Sequence, residues 1–184
     1  GRRTCSVPAT PRAAVLHTAA MSAPTPPPKT LAFVVTEDWF FASHFLPMAR
    51  AAVAMGLWVA VITRGREHQA AIEATGARVV AREAERASLN PMTAGYAAGQ
   101  LSAILKALKA DIGHCIALRG TLVGGTAAAM AGIPDRVYAL TGLGLLGARE
   151  DRTGRLSRLA LKGLIRGPLA SRRTRYLFEN PDDA

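Results

Sequence analysis

The sequence predicts an α/β fold, a Rossmann-like doubly wound parallel sheet, and three observations support that prediction. Strand-like and helix-like segments alternate from Leu31 onward. Segments such as LAFVV and WVAVIT are apolar on both faces, as parallel strands covered by helices must be. Three Ala-rich segments each end in a glycine followed by a β-branched run, the pattern of a helix cap that leads into a strand. A chain of 184 residues with 49% hydrophobic content suits one domain with a real core.

The elements follow in chain order from this alternation. We expect strands at 31–36, 58–63, 78–81, 112–117, 136–140 and 175–179. We expect helices at 44–55, 66–75, 93–109, 121–131 and 155–166. The third helix is the clearest, because apolar residues recur on one face at the helical period: Leu101, Ile104, Leu105 and Leu108. The three capping glycines, which we expect to have a structural role, are Gly56, Gly76 and Gly132.

Composition sets further limits. No run of 18 uncharged apolar residues occurs, so we do not expect a membrane-spanning helix. Two cysteines form no disulfide framework, and Cys115 lies in an apolar run, which predicts a buried free thiol. Residues 1–28 are rich in Ala, Pro, Thr and Arg without periodicity, so we expect a disordered or non-native extension, with Met21 as an alternative start. An Arg-rich targeting peptide is the other interpretation.

Ligands of an open parallel sheet bind beyond the carboxyl ends of its strands. The first such turn is TEDWFFASHFLP, residues 36–47. A dinucleotide site needs G-x-G-x-x-G here, and no glycine lies between Leu31 and Met55, which argues against NAD or FAD. Glu37 and Asp38 instead suit the hydroxyl groups of a sugar or polyol, because carboxylates accept paired hydrogen bonds.

The aromatic and polar residues of this turn divide into two groups. Phe41 and Phe45 are expected under the following helix, whereas Trp39 and Phe40 are expected to line a cleft. The remaining polar residues of this turn are Ser43 and His44. The first could cap the helix, and the second, in the first helical turn, is a candidate for binding or catalysis.

Three later turns offer further candidates. The second, TRGREH, is interpreted as a solvated helix start. In the third, His114 either packs in the core or points into the cleft, and Arg119 beside a helix opening at Thr121 predicts an anion site. The fourth provides a flexible loop with exposed amides, but no nucleotide fingerprint, at Thr141, Gly142 and Gly144.

The net charge of +10 is concentrated near the end of the chain. Residues 149–175 contain nine basic and two acidic residues, a net +7. Five of the basic residues form one helical stripe with leucines beside it: Arg152, Arg155, Arg158, Lys162 and Arg166. This composition is typical of a helix lying on anionic lipid, and the alternative is a surface helix whose leucines face the sheet. No nucleic-acid partner is expected, because the charge lacks interleaved aromatics.

Four segments together resemble the N-terminal domain of family 4 glycosyltransferases, most closely the bacterial capsule, O-antigen and exopolysaccharide branch. They are EDWFFASHFLPMARAA, DIGHCIALRGTLVGGTAAAMAG, VYALTGLG and FENPDD, and the resemblance runs from about Lys29 to Asp183. It implies one half of a GT-B enzyme, in which two Rossmann-like domains face each other. The N-terminal domain, here 29–184, binds the acceptor, and the absent C-terminal domain binds the nucleotide-sugar donor.

The resemblance implies sugar transfer of the hexosyltransferase type, with retention, to a lipid-linked or growing glycan. It implies no metal or other cofactor besides the nucleotide-sugar, and a peripheral position on the inner face of the cytoplasmic membrane. Arg119 matches a basic position that would meet phosphate or an acidic sugar. Many relatives have two histidines separated by one residue in the middle strand, and here the second position is Ile116, so the catalytic residue is unknown, with His44 and His114 as candidates.

Alternatives remain open at this point. The chain could be another Rossmann-fold nucleotide-binding enzyme, or an inactive truncated fragment, since the sequence stops just after a strand-like run. The isolated acceptor half is expected not to transfer sugar alone.

Overall fold

A computed structural model of the chain describes residues 27–82, 91–140, 159 and 163–178. In this part of the chain six parallel strands form one sheet in the order β3-β2-β1-β4-β5-β6. The strands are β1 Thr30–Glu37, β2 Trp58–Arg64, β3 Arg78–Ala81, β4 Ile112–Ile116, β5 Asp135–Leu140 and β6 Arg173–Phe178. The helices are α1 Asp38–His44, α2 Leu46–Ala54, α3 Gln69–Glu73, α4 Pro91–Ala107 and α5 Ala117–Ala131. The strand order reverses direction at β1, so the chain winds outward from the middle of the sheet in both directions.

Helices cover both faces of the sheet. On one face α4 and α5 pack on the strands, and Leu101 of α4 is buried in the same cluster as Val34 of β1. On the other face lie α1 and α2, where Phe41 meets Phe33 edge-on with ring centroids 5.2 Å apart. The predicted Rossmann-like doubly wound sheet is therefore confirmed, and β1 is buried from both sides.

The glycines behave as the sequence predicts. Gly56, Gly76 and Gly132 have φ angles of +81°, +90° and +73°, the left-handed conformation that ends a helix without steric cost. Gly124 lies where α5 crosses the sheet, and a Cβ atom there would be 2.8 Å from Sγ of Cys115. The thiol of Cys115 is free and buried, as the sequence predicted, and burial raises its pKa to about 12.

The single helix predicted over 44–55 is wrong in its start and in its continuity. A helix begins directly at Asp38, and the carboxylate of that residue accepts the backbone N–H of Trp39 at 2.9 Å within the first turn. The helix then breaks after His44, and α2 starts at Leu46 with Pro47 in its first turn. Proline has no N–H to continue the ladder, and it is favoured at the start of a helix.

Other boundaries also differ from the prediction. The helix predicted over 121–131 is α5, and it starts at Ala117, immediately after β4. Ala117 takes a positive φ of 61° to make that turn. The predicted helix over 155–166 lies largely outside the described residues, although 163–166 are helical. The expected extension at 1–28 lies outside them up to residue 26.

Candidate functional site

The carboxyl ends of β1, β2, β3 and β4 bring together the polar groups of the candidate site. Glu37 at the end of β1 forms an ion pair with Arg64 at the end of β2, and each side chain is about one third exposed. The pairing of β1 with β2 shifts register between Val34 and Glu37, which aligns Glu37 with Arg64. The guanidinium therefore holds the Glu37 carboxylate in one orientation at the surface, with lone pairs left for a ligand.

Asp38 has a different environment from its neighbour. It is buried, and its Oδ2 accepts the backbone N–H of His68 at 2.8 Å, while Oδ1 accepts that of Trp39. A Cβ atom on Gly65, whose φ is +87°, would lie 3.1 Å from Oδ1 of Asp38. Asp38 thus ties the loop after β2 to the start of α1. The geometry gives it a positioning role, where the sequence predicted a direct contact with sugar.

The ionisation of Asp38 follows from these contacts. Burial acts to raise its pKa, but hydrogen bonds from the backbone of His68 and Trp39, together with the His68 side chain, outweigh burial and lower the pKa. The Nδ1 atom of His68 is 3.4 Å from Oδ2. The carboxylate is therefore charged at neutral pH and holds the loop by charge-assisted hydrogen bonds.

An aromatic patch stands beside these carboxylates. It consists of Trp39, which is 50% exposed, half-buried Phe40 and exposed His44. The rings of Trp39 and Phe40 meet edge-on at 5.7 Å, and those of Phe40 and His44 are 4.8 Å apart. Phe41 and Phe45, by contrast, are buried, as the sequence predicted. Half of the Trp39 surface is thus available to an apolar or sugar ligand.

The placement of Ser43 and His44 differs from the expectation. Ser43 does not cap a helix, because its hydroxyl donates to the carbonyl of Trp39 at 2.8 Å within α1. His44 lies in the last turn of α1 rather than in a first turn. Its Nδ1 is 3.2 Å from the carbonyl oxygen of Phe40. A carbonyl only accepts, so the proton belongs on Nδ1, and Nε2 of the neutral ring is an acceptor.

His114 is a core residue. It is 5% exposed, and its ring lies 4.9 Å from that of Phe33 and 6.5 Å from that of Phe45. Its Nε2 atom is buried without a hydrogen-bond partner among the described residues. Burial lowers the pKa of His114 to about 4, so the ring is neutral at physiological pH. Of the two readings that the sequence left open, the structure shows the core position.

A second basic residue, which the sequence analysis missed, accompanies Arg119. Arg119 is exposed in the first turn of α5, directly after the strained Ala117. Arg82 follows β3, and its backbone N–H donates to the carbonyl of Thr63 at 2.8 Å. Burial lowers the pKa of Arg82, and the charge of Arg119 lowers it further, so the two guanidinium groups interact. Thr121, predicted to open the helix, is instead fully buried in α5.

Several predicted site residues lie outside the described part of the chain. They are Thr141, Gly142, Gly144, Arg152, Arg155, Arg158 and Lys162. Arg166 is described and exposed, beside Leu164, which is 40% exposed. Ile165 between them is buried, and its carbonyl accepts the hydroxyl of Tyr176 at 2.9 Å. This segment therefore packs on the sheet through one residue and presents a basic and an apolar side chain outward.

Two kinds of feature are absent from the described residues. No group of three or more His, Cys, Asp or Glu side chains in the ranges given above has the arrangement of a metal site. None of the helices described has both the length and the apolar character needed to span a bilayer.

A protein-family model matches most of this chain. The model of a family described as "Glycosyl transferase 4-like" matches residues 30–172, well over half of the chain. The chain belongs to the glycosyl transferase 4-like family. The resemblance of the four sequence segments to family 4 glycosyltransferases is thereby confirmed, and so is the Rossmann-like fold of one GT-B half. No curated protein sequence matches this glycosyl transferase 4-like chain.

Solved structures agree at the level of fold. A glycosyltransferase from Rickettsia africae superimposes with a TM-score of 0.55 at 11% identity, covering 81% of this chain and 42% of that one. A Listeria monocytogenes protein named as a UDP-N-acetylglucosamine 2-epimerase gives 0.50 at 12% identity, covering 72% of this chain and 37% of that one. At such identities the likeness shows the fold alone. The glycosyl transferase 4-like chain spans about two fifths of the length of each of these proteins.

Proposed function

We propose that this domain is the acceptor-binding half of a hexosyltransferase-type glycosyltransferase. It would hold a lipid-linked or growing glycan while a sugar is transferred to it, with retention, from a nucleotide-sugar bound mainly by a second domain. The observation that carries the proposal is the aromatic patch beside the Glu37–Arg64 pair at the end of the central strand. That place lacks the glycines of a dinucleotide site.

The chemistry of the patch suits a sugar ring. A pyranose has an apolar face of C–H groups and a rim of hydroxyls, so it binds where an exposed ring stands beside hydrogen-bond acceptors. Trp39 offers the ring, and the Glu37 carboxylate, oriented by Arg64, offers acceptors for hydroxyl groups. Asp38 fixes the positions of Trp39 and Glu37 relative to each other, because it lies between them and binds the loop of His68.

His44 is the side chain of the aromatic patch that offers a ring nitrogen as a hydrogen-bond acceptor. Its Nε2 is the free acceptor of the neutral ring, and it stands beside Phe40 and Trp39 in the aromatic patch. We propose that Nε2 accepts a hydrogen bond from an acceptor hydroxyl. Ser43, exposed on the same helix, would border this contact.

A matched pair of tryptophan variants tests the proposal. The chain has two tryptophans, and Trp58 lies at the start of β2, at the opposite end of the sheet from Trp39. We expect Trp39→Ala to weaken binding of a soluble acceptor oligosaccharide about tenfold, because an exposed aromatic anchor contributes more than 1 kcal/mol. Trp58→Ala should leave the affinity unchanged in the same calorimetric titration. Equal affinity of the Trp39→Ala variant and the wild type would remove the patch from the acceptor site.

The basic segment near Arg166 suggests a second property of the same function. We propose that this segment rests on an anionic membrane surface, peripheral to the inner face of the cytoplasmic membrane, where lipid-linked acceptors are carried. The exposed Arg166 and Leu164 support the proposal, and so does the sequence stripe of four further basic residues before them.

Vesicle binding measures this property. Each basic residue near an anionic surface contributes about 1 kcal/mol, and the contribution is screened by salt. The chain should sediment with vesicles containing phosphatidylglycerol at low ionic strength and be released at 1 M salt, and it should not sediment with purely zwitterionic vesicles. Binding that is independent of salt, or absent from both, would contradict the proposal.

A further inference from the structure

The loop after β2 places a histidine against the buried carboxylate of Asp38. The backbone N–H of His68 donates to Oδ2 of Asp38 at 2.8 Å. The same loop passes close to the other carboxylate oxygen at Gly65, where a Cβ atom would be 3.1 Å from Oδ1. The φ of Gly65 is +87°, a conformation that other residues rarely adopt. The backbone of His68 is therefore held at a fixed place beside the first turn of α1.

The two nitrogens of the His68 ring have different surroundings. Nδ1 is buried and faces Oδ2 of Asp38 at 3.4 Å, and it has no hydrogen bond of good geometry within the described part of the chain. The His68 side chain is 42% exposed, so its exposed part lies away from Nδ1, on the side of Nε2. The Asp38 side chain is only 8% exposed. A buried carboxylate thus stands behind an accessible imidazole.

This arrangement favours one form of the neutral ring. A carboxylate only accepts hydrogen bonds, so Asp38 favours the ring proton on Nδ1 and leaves a lone pair on Nε2. A carboxylate that holds a histidine in this way makes the outer nitrogen ready for a ligand. The 3.4 Å distance is long for a hydrogen bond, as contacts in functional sites often are until a ligand shortens them.

We propose that His68 is a further ligand-binding residue at this edge of the sheet, and that its Nε2 accepts a hydrogen bond from a hydroxyl group of the acceptor sugar; the choice of ligand rests on the function proposed above. Asp38 is then a positioning residue, which acts through His68. A second acceptor stands next to it in the chain, because the Glu37 carboxylate is held by Arg64 of the same loop. Acceptors of this kind suit the hydroxyl groups of a sugar.

Calorimetric titration of the 184-residue chain with soluble oligosaccharides of glucose, galactose and N-acetylglucosamine tests the role of Nε2. We expect His68→Asn to weaken binding about fivefold, the value of one neutral hydrogen bond. The asparagine amide can donate to Asp38 in place of Nδ1–H, but it has no group in place of Nε2. The melting temperature should therefore stay close to that of the wild type. The matched control, Glu67→Gln, changes an exposed neighbour in the same loop and should bind like the wild type.

Nitrogen NMR of the chain with labelled histidines gives a readout that a merely structural role would not move. The chain has four histidines, and the signals of His68 are those missing from His68→Asn. We expect the ring proton of the wild type on Nδ1, and a shift of the Nε2 signal when the oligosaccharide binds. Asp38→Asn keeps the size of the side chain beside Gly65, and it should allow both tautomers and weaken binding. A proton on Nε2, or an Nε2 signal that the ligand leaves unchanged, would contradict the proposal.

The binding results also separate this role from the proposed function. Binding that depends on Trp39 but is equal in His68→Asn and the wild type would uphold the aromatic patch and reject the role of His68. Binding that depends on His68 but not on Trp39 would uphold the hydrogen bond and reject the patch. If none of the oligosaccharides binds the wild type, the acceptor function and the contact with His68 are both rejected.

Discussion

Acidification from pH 7 to pH 4 should lower the free energy of unfolding of this domain by about 3 kcal/mol through His114 alone. The pKa of His114 is lowered to about 4 in the folded chain by burial, whereas an unfolded histidine has a pKa near 6.5. Between pH 4 and pH 6.5 this histidine is protonated in the unfolded chain and neutral in the folded chain. Stability is therefore retained above pH 6.5 and lost as the pH falls toward 4. The free energy of unfolding changes by about 1.36 kcal/mol for each unit by which the folded and unfolded pKa values differ.

Urea unfolding of the wild type and of His114→Phe measures this contribution. The replacement keeps a ring between Phe33 and Phe45 and removes the proton-binding group, so it should flatten the dependence on pH between 6.5 and 4. Ser43→Ala is the control, because Ser43 is exposed and its hydroxyl does not titrate in this range, so the pH dependence of this variant should match that of the wild type. Identical slopes for His114→Phe and the wild type would show that His114 is protonated in the fold.

Alanine at Gly124 should destabilise the domain by about 2 kcal/mol, although alanine is the better helix former. The new Cβ would be 2.8 Å from Sγ of Cys115 and 2.9 Å from Cγ1 of Val34, both of which are buried. Real Cβ atoms do not approach so closely, so α5 would have to move away from β1 and β4. Overpacking of a core costs typically about 1–3 kcal/mol.

Gly99→Ala provides the matched comparison for this experiment. Gly99 lies inside α4, and a Cβ atom there would meet nothing within 4 Å. Alanine at this position should therefore raise the free energy of unfolding by about 0.5–1 kcal/mol. If Gly124→Ala were stabilising to the same extent as Gly99→Ala, the close contact of α5 with the sheet would be wrong.

The sequence was informative where one local pattern decides the structure. Apolar runs predicted six strands, because a strand that is buried on both faces is apolar along its length. Glycines at helix ends predicted the caps, because the left-handed conformation favours glycine. The boundaries of the first two helices were not predictable in that way. At the start of α1 the Asp38 carboxylate binds the N–H of His68, which is distant in the sequence, and the break before α2 falls where Pro47 follows.

The candidate site was predicted only in part for the same reason. Trp39 and Glu37 could be selected because Glu37 ends the first strand and Trp39 lies two residues after it. Arg82 could not, since it looks like an ordinary basic residue after a short strand, and its interest arises from Arg119, which lies 37 positions further along the chain. The signal that could have found it is positional, because Arg82 directly follows β3 and Arg119 lies in the first helical turn after β4.

The aromatic patch and the Glu37–Arg64 pair lie together at the carboxyl edge of the sheet. The proposed acceptor function depends on this juxtaposition, because a sugar ring needs an apolar surface beside hydrogen-bond acceptors.

The class of ligand that binds distinguishes an acceptor-binding domain from a nucleotide-binding one. The wild-type chain should be titrated in parallel with an acceptor oligosaccharide, a UDP-sugar and NAD, with the fluorescence of a Trp58→Phe variant reporting on Trp39. We predict that the oligosaccharide changes the Trp39 emission and binds, while NAD does not bind and the UDP-sugar binds more weakly than the oligosaccharide. Tight binding of NAD or of the UDP-sugar, with no response to the oligosaccharide, would contradict an acceptor-binding domain and indicate a nucleotide-binding one.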